Sequence, residues 1–179
     1  MSRLDINIRR LKAQRACLNR AAELIARLPG PILELGLGNG RTYHHLREIM
    51  PEREIFVFER EVAAHPDCIP DDDHLFLGDI RDTLPAAARR FAGQIALVHA
   101  DVGSANLARD ARLESFIAAH LPTLLRPGGV VAADRDAGFA EARTLELPDG
   151  VAPGVYFLFA RAPASGEAAV KAARSGAGS

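Results

Sequence analysis

Residues 32–40, with the sequence ILELGLGNG, decide the fold of this chain. The apolar run predicts a buried strand, and the segment 41–50 that follows predicts a helix. Between them, glycine occupies every second position, at Gly36, Gly38 and Gly40. Glycine adopts backbone conformations closed to other residues and lets a ligand approach the main chain closely. A strand, a glycine-rich turn and a helix N-terminus form the nucleotide-binding corner of doubly wound α/β folds.

The spacing of these glycines distinguishes two kinds of nucleotide site. A dinucleotide-binding turn has its third glycine where this chain has Arg41, so Gly40 comes one residue too early. The second predicted strand, at about 54–58, runs directly into Glu59. A carboxylate at that strand end can accept hydrogen bonds from both hydroxyl groups of a ribose. The pattern therefore indicates a nucleoside site that departs from the dinucleotide type.

The pattern E-x-G-x-G-x-G, followed by a carboxylate after the next strand, resembles the class I S-adenosylmethionine-dependent methyltransferases. The resemblance covers residues 31 to about 161. It implies a Rossmann-like α/β fold with a doubly wound, mostly parallel seven-stranded sheet that ends in an antiparallel hairpin. The segments 14–17 and 34–47 also resemble a small bacterial family of S-adenosyl-L-methionine methyltransferases. That family implies a short catalytic domain whose substrate is unknown.

The rest of the chain alternates between strand and helix patterns, as a parallel sheet covered on both faces requires. Strands are predicted at about 31–35, 54–58, 74–77, 95–100 and 129–133, with a hairpin at 143–147 and 154–161. Helices are predicted at 3–28, 41–50, 83–92 and 107–121, and an irregular loop at 60–73. We expect one catalytic domain at 31–161, preceded by an N-terminal helix at 1–30 and followed by a disordered tail at 162–179.

The resemblance implies a set of cofactor-binding residues at successive strand ends. Glu34 would help to hold the methionine ammonium group, and Glu59 would bind the ribose beside Arg60 on the adenine face. Asp79 would accept from the adenine amino group, and the backbone N–H of Ile80 would meet a ring nitrogen. The full set is Glu34, Gly36, Leu37, Gly38, Gly40, Thr42, Glu59, Arg60, Asp79, Ile80 and Asp101. Alternatives remain: Glu34 and Thr42 can act as local caps, Glu59 as a solvated charge, and Gly78-Asp79 as a plain turn.

Two candidate catalytic residues belong to the fourth predicted strand. Because side chains alternate between the faces of a strand, His99 and Asp101 share one face. Asp101 lies at the rim, where substrate and methyl group should meet, and is the predicted active-site acid. His99 is a possible base, although a histidine in a strand is more often structural.

Asp134 ends the fifth strand, as a metal-binding acid does in catechol-type O-methyltransferases. The Asn that follows that acid in the catechol-type enzymes is replaced here by Arg135, so we expect no metal.

Composition bounds the partners of the protein. The 179 residues suit one domain, with 48% hydrophobic and 25% charged residues and a net charge of −1. This balance argues against a protein that binds nucleic acid through bulk charge. No apolar stretch approaches the ~20 residues of a membrane span. Cys17 and Cys68 are far apart and are typical of reduced thiols in a cytoplasmic protein.

The leading hypothesis is a methyltransferase that uses S-adenosyl-L-methionine and acts on a small molecule. The alternatives are a non-catalytic protein that binds S-adenosylmethionine or S-adenosylhomocysteine, and an oxidoreductase that binds NAD. A variant that acts on RNA is suggested only by the N-terminal helix, where seven basic residues oppose two acidic ones. Because the chain has no inserted substrate domain, we expect this helix to cover the pocket with Gln14 or Arg15. For the same reason we expect a homodimer or larger homo-oligomer.

Overall fold

The computed structural model describes residues 1–103, 106–136 and 138–162, which form a seven-stranded α/β sheet. The strands are β1 (Ile32–Leu35), β2 (Ile55–Glu59), β3 (Leu75–Leu77), β4 (Ile95–Ala100), β5 (Leu125–Ala133), β6 (Ala142–Thr144) and β7 (Phe157–Arg161). The helices are α1 (Arg3–Leu24), α2 (Arg41–Ile49), α3 (Ile80–Arg90) and α4 (Leu107–Leu124). The spatial order is β3-β2-β1-β4-β5-β7-β6.

The first five strands are parallel, and β7 pairs antiparallel with both β5 and β6. The predicted sheet and its closing hairpin are therefore confirmed. All six residues of β4 are buried, as expected of a central strand covered on both faces. One face packs on α3 and α4, mainly through Leu84, Phe91, Ile117 and Leu121, and the other packs on α1 and α2.

The N-terminal helix differs from its prediction in length and in buried face. It begins with a capping box between Ser2 and Asp5 and ends at Leu24 instead of residue 28. Its buried residues begin only at Ala13, whereas Leu4 is 67% exposed and Leu11 is 42% exposed. The helical spacing in the sequence predicts one buried face, made of Leu4, Ile8, Leu11, Leu18, Ala22 and Ile25. This prediction was wrong in its first half, because only the second half of the helix packs into the core behind the sheet.

Several boundaries of helices and strands also differ from those predicted from the sequence, for local reasons. Helix α3 begins at Ile80 instead of 83, because the Asp79 side chain caps it by accepting from the Arg81 N–H at 2.9 Å. Strand β5 begins at Leu125 instead of 129, and it shifts register against β4 after Ile95. The loop 60–73 contains two short 3-10 turns, at Pro66–Cys68 and Asp72–His74, the second ending at residue 74.

Three further predictions concern the covalent state, the membrane and the tail. Cys17 and Cys68 are free thiols. No helix within the described ranges has both the length and the apolar character needed to cross a lipid bilayer. The predicted disordered tail lies outside the described residues from 163 onward.

Candidate functional site

The glycine turn between β1 and α2 uses its three glycines for different purposes. All three have positive φ, of 92° at Gly36, 52° at Gly38 and 79° at Gly40. A Cβ at Gly36 would lie 2.7 Å from the main-chain oxygen of Asp101, and one at Gly40 would lie 2.3 Å from the Cβ of Cys68. A Cβ at Gly38 would meet nothing within 4 Å. Gly36 and Gly40 are therefore demanded by packing, whereas Gly38 leaves open space beside the turn.

Glu59 connects the end of β2 to this turn. Its Oε2 accepts from the backbone N–H groups of Leu37 at 2.8 Å and Gly38 at 2.9 Å, and its Oε1 accepts from that of Arg60 at 2.7 Å. Burial disfavours the charged carboxylate, but these backbone donors and that of Glu61 outweigh it and lower the pKa of Glu59. The side chain is thus held ionised at the mouth of a cleft.

The cleft has a volume of about 300 Å³, the lower end of the range for small-molecule sites. Phe58, Ile80, Val102 and Leu113 give it apolar walls, and Glu59 and Asp79 supply carboxylates. Seven of the predicted cofactor-binding residues line it, namely Gly36, Gly38, Glu59, Arg60, Asp79, Ile80 and Asp101. Apolar walls combined with carboxylate acceptors suit a nucleoside base and its ribose.

Four other predicted cofactor residues, Glu34, Leu37, Gly40 and Thr42, do not line this cleft. Glu34 is completely buried, where its Oε1 accepts from the Thr42 hydroxyl and its Oε2 lies 2.7 Å from His99 Nδ1. Thr42 does not cap α2, because the N-cap residue is Gly40 and no side chain accepts a hydrogen bond at this helix start. The Leu37 side chain is buried, and only its N–H contributes, through Glu59.

His99 is also completely buried, so it does not reach the cleft. Its Nε2 is hydrogen-bonded to the hydroxyl group of Tyr156, a buried residue just before β7. Burial lowers the pKa of His99, but the carboxylate of Glu34, with Asp101 and Asp134 farther away, raises it overall. Sequence reasoning missed Tyr156; the available sign was a tyrosine, one of two in the chain, within a predicted apolar strand.

The first helix covers the ends of β4 and β5 with polar side chains. Gln14 Nε2 donates to Asp101 Oδ2 at 2.8 Å, and the Arg10 guanidinium donates to Asp101 Oδ1. The same guanidinium lies 3.8 Å from Asp134 Oδ2. Of the two residues predicted to face the pocket, Gln14 makes contact, whereas Arg15 is exposed. Sequence reasoning missed Arg10, which stood out only as part of the basic helix.

Asp101 and Asp134 form a pair of interacting carboxyl groups. Their side chains are 20% and 15% exposed, and the guanidinium of Arg10 approaches both of them. Burial and the charge of Asp101 raise the pKa of Asp134 to about 6, against the opposing effects of Arg10 and Arg135. Two carboxyl groups held so closely favour binding one proton between them.

Arg135 points from the end of β5 toward α4. Its guanidinium donates to Asp110 at 2.8 Å and contacts Glu114 at 3.1 Å, and it lies 3.8 Å from Asp134. The cation therefore lies beside Asp134. Among the described residues, no group of three or more His, Cys, Asp or Glu side chains is arranged to hold a metal ion.

Two of the matches to known proteins show the family of this chain. A family model described as S-adenosyl-L-methionine methyltransferase matches residues 1–161. The crystal structure of an S-adenosyl-L-methionine methyl transferase from Silicibacter pomeroyi DSS-3 superposes with a TM-score of 0.85. That protein is 46% identical, over 90% of this chain and 99% of its own.

Human Methyltransferase-like protein 13, crystallised in complex with SAH, superposes with a TM-score of 0.56. It is 18% identical over 85% of this chain and 80% of its own, so it supports the fold alone. No curated protein matches the sequence.

Proposed function

This chain belongs to the S-adenosyl-L-methionine methyltransferase family, and from that premise we propose that it methylates a small molecule beside Asp101. The protein is an S-adenosylmethionine-dependent methyltransferase, and S-adenosyl-L-methionine is its cofactor. One observation carries the proposal: a single cleft joins the glycine turn, the carboxylates of Glu59 and Asp79, and the rim residue Asp101.

The residues of the cleft fit the nucleoside half of this cofactor. The open side of Gly38 leaves room for the ligand against the backbone, because a side chain there would enter the same space. Glu59 is placed to accept from the ribose hydroxyls, with Arg60 along the adenine face. Asp79 and the N–H of Ile80 would bind the base between the apolar walls. Glu34, Leu37, Gly40 and Thr42 shape the turn in this assignment without touching the ligand.

The chemistry asks the protein mainly for alignment. Bound S-adenosyl-L-methionine supplies a methyl group that its sulfonium has already activated. The protein must hold the acceptor in line and exclude water, which α1 does by covering the strand ends with Arg10 and Gln14. Asp101 faces the acceptor and takes up its proton when the acceptor arrives protonated. His99 is buried too deeply to touch the acceptor, so we no longer assign it as the base.

The cover over the strand ends supports a small acceptor. Helix α1 covers the ends of β4 and β5 next to the cleft, where Gln14 contacts Asp101. A polymer would need a groove that continues past these strand ends. The positive charge of α1 leaves an RNA acceptor as an outcome of the test below.

Thermal denaturation with S-adenosylmethionine, S-adenosylhomocysteine and NAD in parallel tests the cofactor assignment. A ligand at about one hundred times its dissociation constant stabilises the folded state by ~2.7 kcal/mol. We expect the first two ligands to raise the melting temperature, and NAD to leave it unchanged. Stabilisation by NAD alone would favour the oxidoreductase alternative. Transfer of a labelled methyl group to small molecules, but not to RNA, would then support the acceptor class.

We further propose that the protein is a cytoplasmic homodimer. The free thiols of Cys17 and Cys68 suit a reducing compartment. The exposed apolar side chains on the first half of α1, including Leu4 and Ile8, are suited to pack against a second copy. Light scattering should give twice the monomer mass for the parent protein. It should give the monomer mass for the double variant Leu4→Ser, Ile8→Ser. A monomeric parent protein would contradict the dimer.

A further inference from the structure

A run of polar side chains passes through the core beneath α1 and ends at Asp101. Hydrogen bonds join Thr42 to Glu34, Glu34 to His99 and His99 to Tyr156. The amide of Gln14 interacts with the Tyr156 hydroxyl and opposes the rise that burial causes in the pKa of Tyr156. Gln14 then donates to Asp101 at 2.8 Å. We call these five residues, Thr42, Glu34, His99, Tyr156 and Gln14, the polar chain.

The polar chain is costly to bury. Glu34, His99 and Tyr156 are 0% exposed and Gln14 is 6% exposed. Apolar side chains of similar volume often give equal or greater stability than buried polar groups, so stability alone does not account for such a chain. Its members come from α2, β1, β4, the segment before β7 and α1, and among the cleft-lining residues it contacts Asp101.

We propose that Gln14, Tyr156 and His99 are positioning residues that hold the carboxylate of Asp101 in one orientation at the methyl-transfer end of the site. This inference rests on the proposed function only for the role of Asp101. The remaining two members, Glu34 and Thr42, anchor the chain at the start of the glycine turn and of α2. The polar chain thereby connects the turn that binds the cofactor to the acid that faces the acceptor.

The chemistry of the amide explains how the chain acts. A carboxylate only accepts hydrogen bonds, so Gln14 must turn its NH₂ group, and not its carbonyl oxygen, toward Asp101. The hydroxyl of Tyr156 interacts with the same amide, and the ring of His99 is hydrogen-bonded to that hydroxyl. Loss of the hydroxyl would free the amide to rotate, and the hydrogen bond from Gln14 to Asp101 would weaken.

Other charged groups face the Asp101–Asp134 pair and must stay constant during a test. Arg10 approaches it from α1, Arg135 from the end of β5, and Glu34 lies behind His99 on β1. The informative variants therefore remove hydrogen bonds without changing any charge. Tyr156→Phe removes one hydroxyl, and Gln14→Met removes the amide at nearly constant side-chain length.

The test is a carbon-13 NMR titration of the aspartate carboxyl groups in the full chain. In the parent protein Asp134 should titrate near pH 6, the value to which burial and the charge of Asp101 raise its pKa. We expect the midpoint to rise by roughly half a pH unit in Tyr156→Phe and by roughly one unit in Gln14→Met, because hydrogen bonds to a carboxylate favour its charged form. Tyr43→Phe is the matched control, since Tyr43 is buried in the same apolar cluster as Tyr156 and should leave the midpoint unchanged.

An unchanged midpoint in folded Tyr156→Phe would overturn the proposal, as would an equal rise in Tyr43→Phe. If Tyr156→Phe does not fold, Gln14→Met provides the test. In Gln14→Met the NMR shifts of the His99 ring nitrogens should change, because the polar chain connects Gln14 to His99 through Tyr156. Unchanged nitrogen shifts there would also overturn the proposal. Calorimetric binding of S-adenosylhomocysteine to the parent protein separates the two claims: failure to bind contradicts the cofactor assignment and leaves the titration result intact.

Discussion

The two ends of the site are built in different ways. The nucleoside end, between β1, β2 and β3, is an open cleft made of a glycine turn, backbone N–H groups and strand-end carboxylates. The end at β4 and β5 is covered by α1 and is made almost entirely of side chains, with Arg10 and Gln14 on the pair Asp101 and Asp134. The nucleoside end therefore relies mainly on backbone groups and strand-end carboxylates, whereas the covered end relies on contacts between side chains that are distant in sequence.

The largest expected effect is at the nucleoside end, in Gly38→Val. A β-branched side chain at φ 52° is strained by about 1–2 kcal/mol and would fill the open space beside the turn. We expect binding of S-adenosylhomocysteine to be undetectable by calorimetry while the protein stays folded. Gly93→Val is the control, because Gly93 has φ 66° and equally open space but does not line the cleft. Equal loss of binding in both variants would contradict the proposal that Gly38 leaves space for the cofactor.

At the covered end, Asp101→Asn should separate turnover from binding. General acid–base catalysis contributes at least about one hundredfold, so we expect methyl transfer to fall by that factor. Binding of S-adenosylhomocysteine should change by less than about threefold, which is under 1 kcal/mol. Turnover and binding measured on one preparation check this, and equal losses would place Asp101 with the cofactor instead of the acceptor.

The variant Glu59→Ala should weaken binding of S-adenosylhomocysteine by roughly ten- to one-hundredfold. A hydrogen bond to a charged group contributes ~1.5–3 kcal/mol, and the carboxylate also holds the N–H groups of Leu37 and Gly38. Glu61→Ala provides a matched control two residues away, outside the cleft lining. An affinity that is the same in Glu59→Ala and Glu61→Ala would show that the ribose is bound elsewhere.

The smallest effect is a dependence of stability on pH at the covered end. Burial, followed by Asp101, raises the folded-state pKa of Asp134 to about 6, from 3.8 in the unfolded chain. Between these two values the folded state binds more protons than the unfolded state. The stabilisation that Asp134 contributes to the folded state is therefore complete below pH 3.8 and is lost as pH rises through 6. We expect a loss of about 1–2 kcal/mol over that interval, because a two-unit shift is an upper limit of roughly 3 kcal/mol for a partly solvated group. Denaturant unfolding at several pH values gives the free energy of unfolding as a function of pH. That free energy should fall less steeply with rising pH in Asp134→Asn than in the parent.

Much of the nucleoside end could be predicted from neighbouring residues. The apolar run, the alternate glycines and the carboxylate at Glu59 are local patterns, and each demands one kind of backbone. The family resemblance implied that the side chain of Glu34 lies near the methionine ammonium group of the cofactor. The structure turns that side chain inward, because the Thr42 hydroxyl and the ring of His99 satisfy both of its oxygens.

The sequence by itself determined the order of strands and helices, the nucleotide turn and the position of Asp101 at a strand end, because hydrophobic period and glycine spacing act over a few residues. The tertiary structure decided which side chains surround that acid. Arg10 and Gln14 lie 91 and 87 residues from Asp101, and Tyr156 lies 57 residues from His99. Hydrogen bonds over such separations leave no local pattern, since they exist only after the sheet and α1 have packed together.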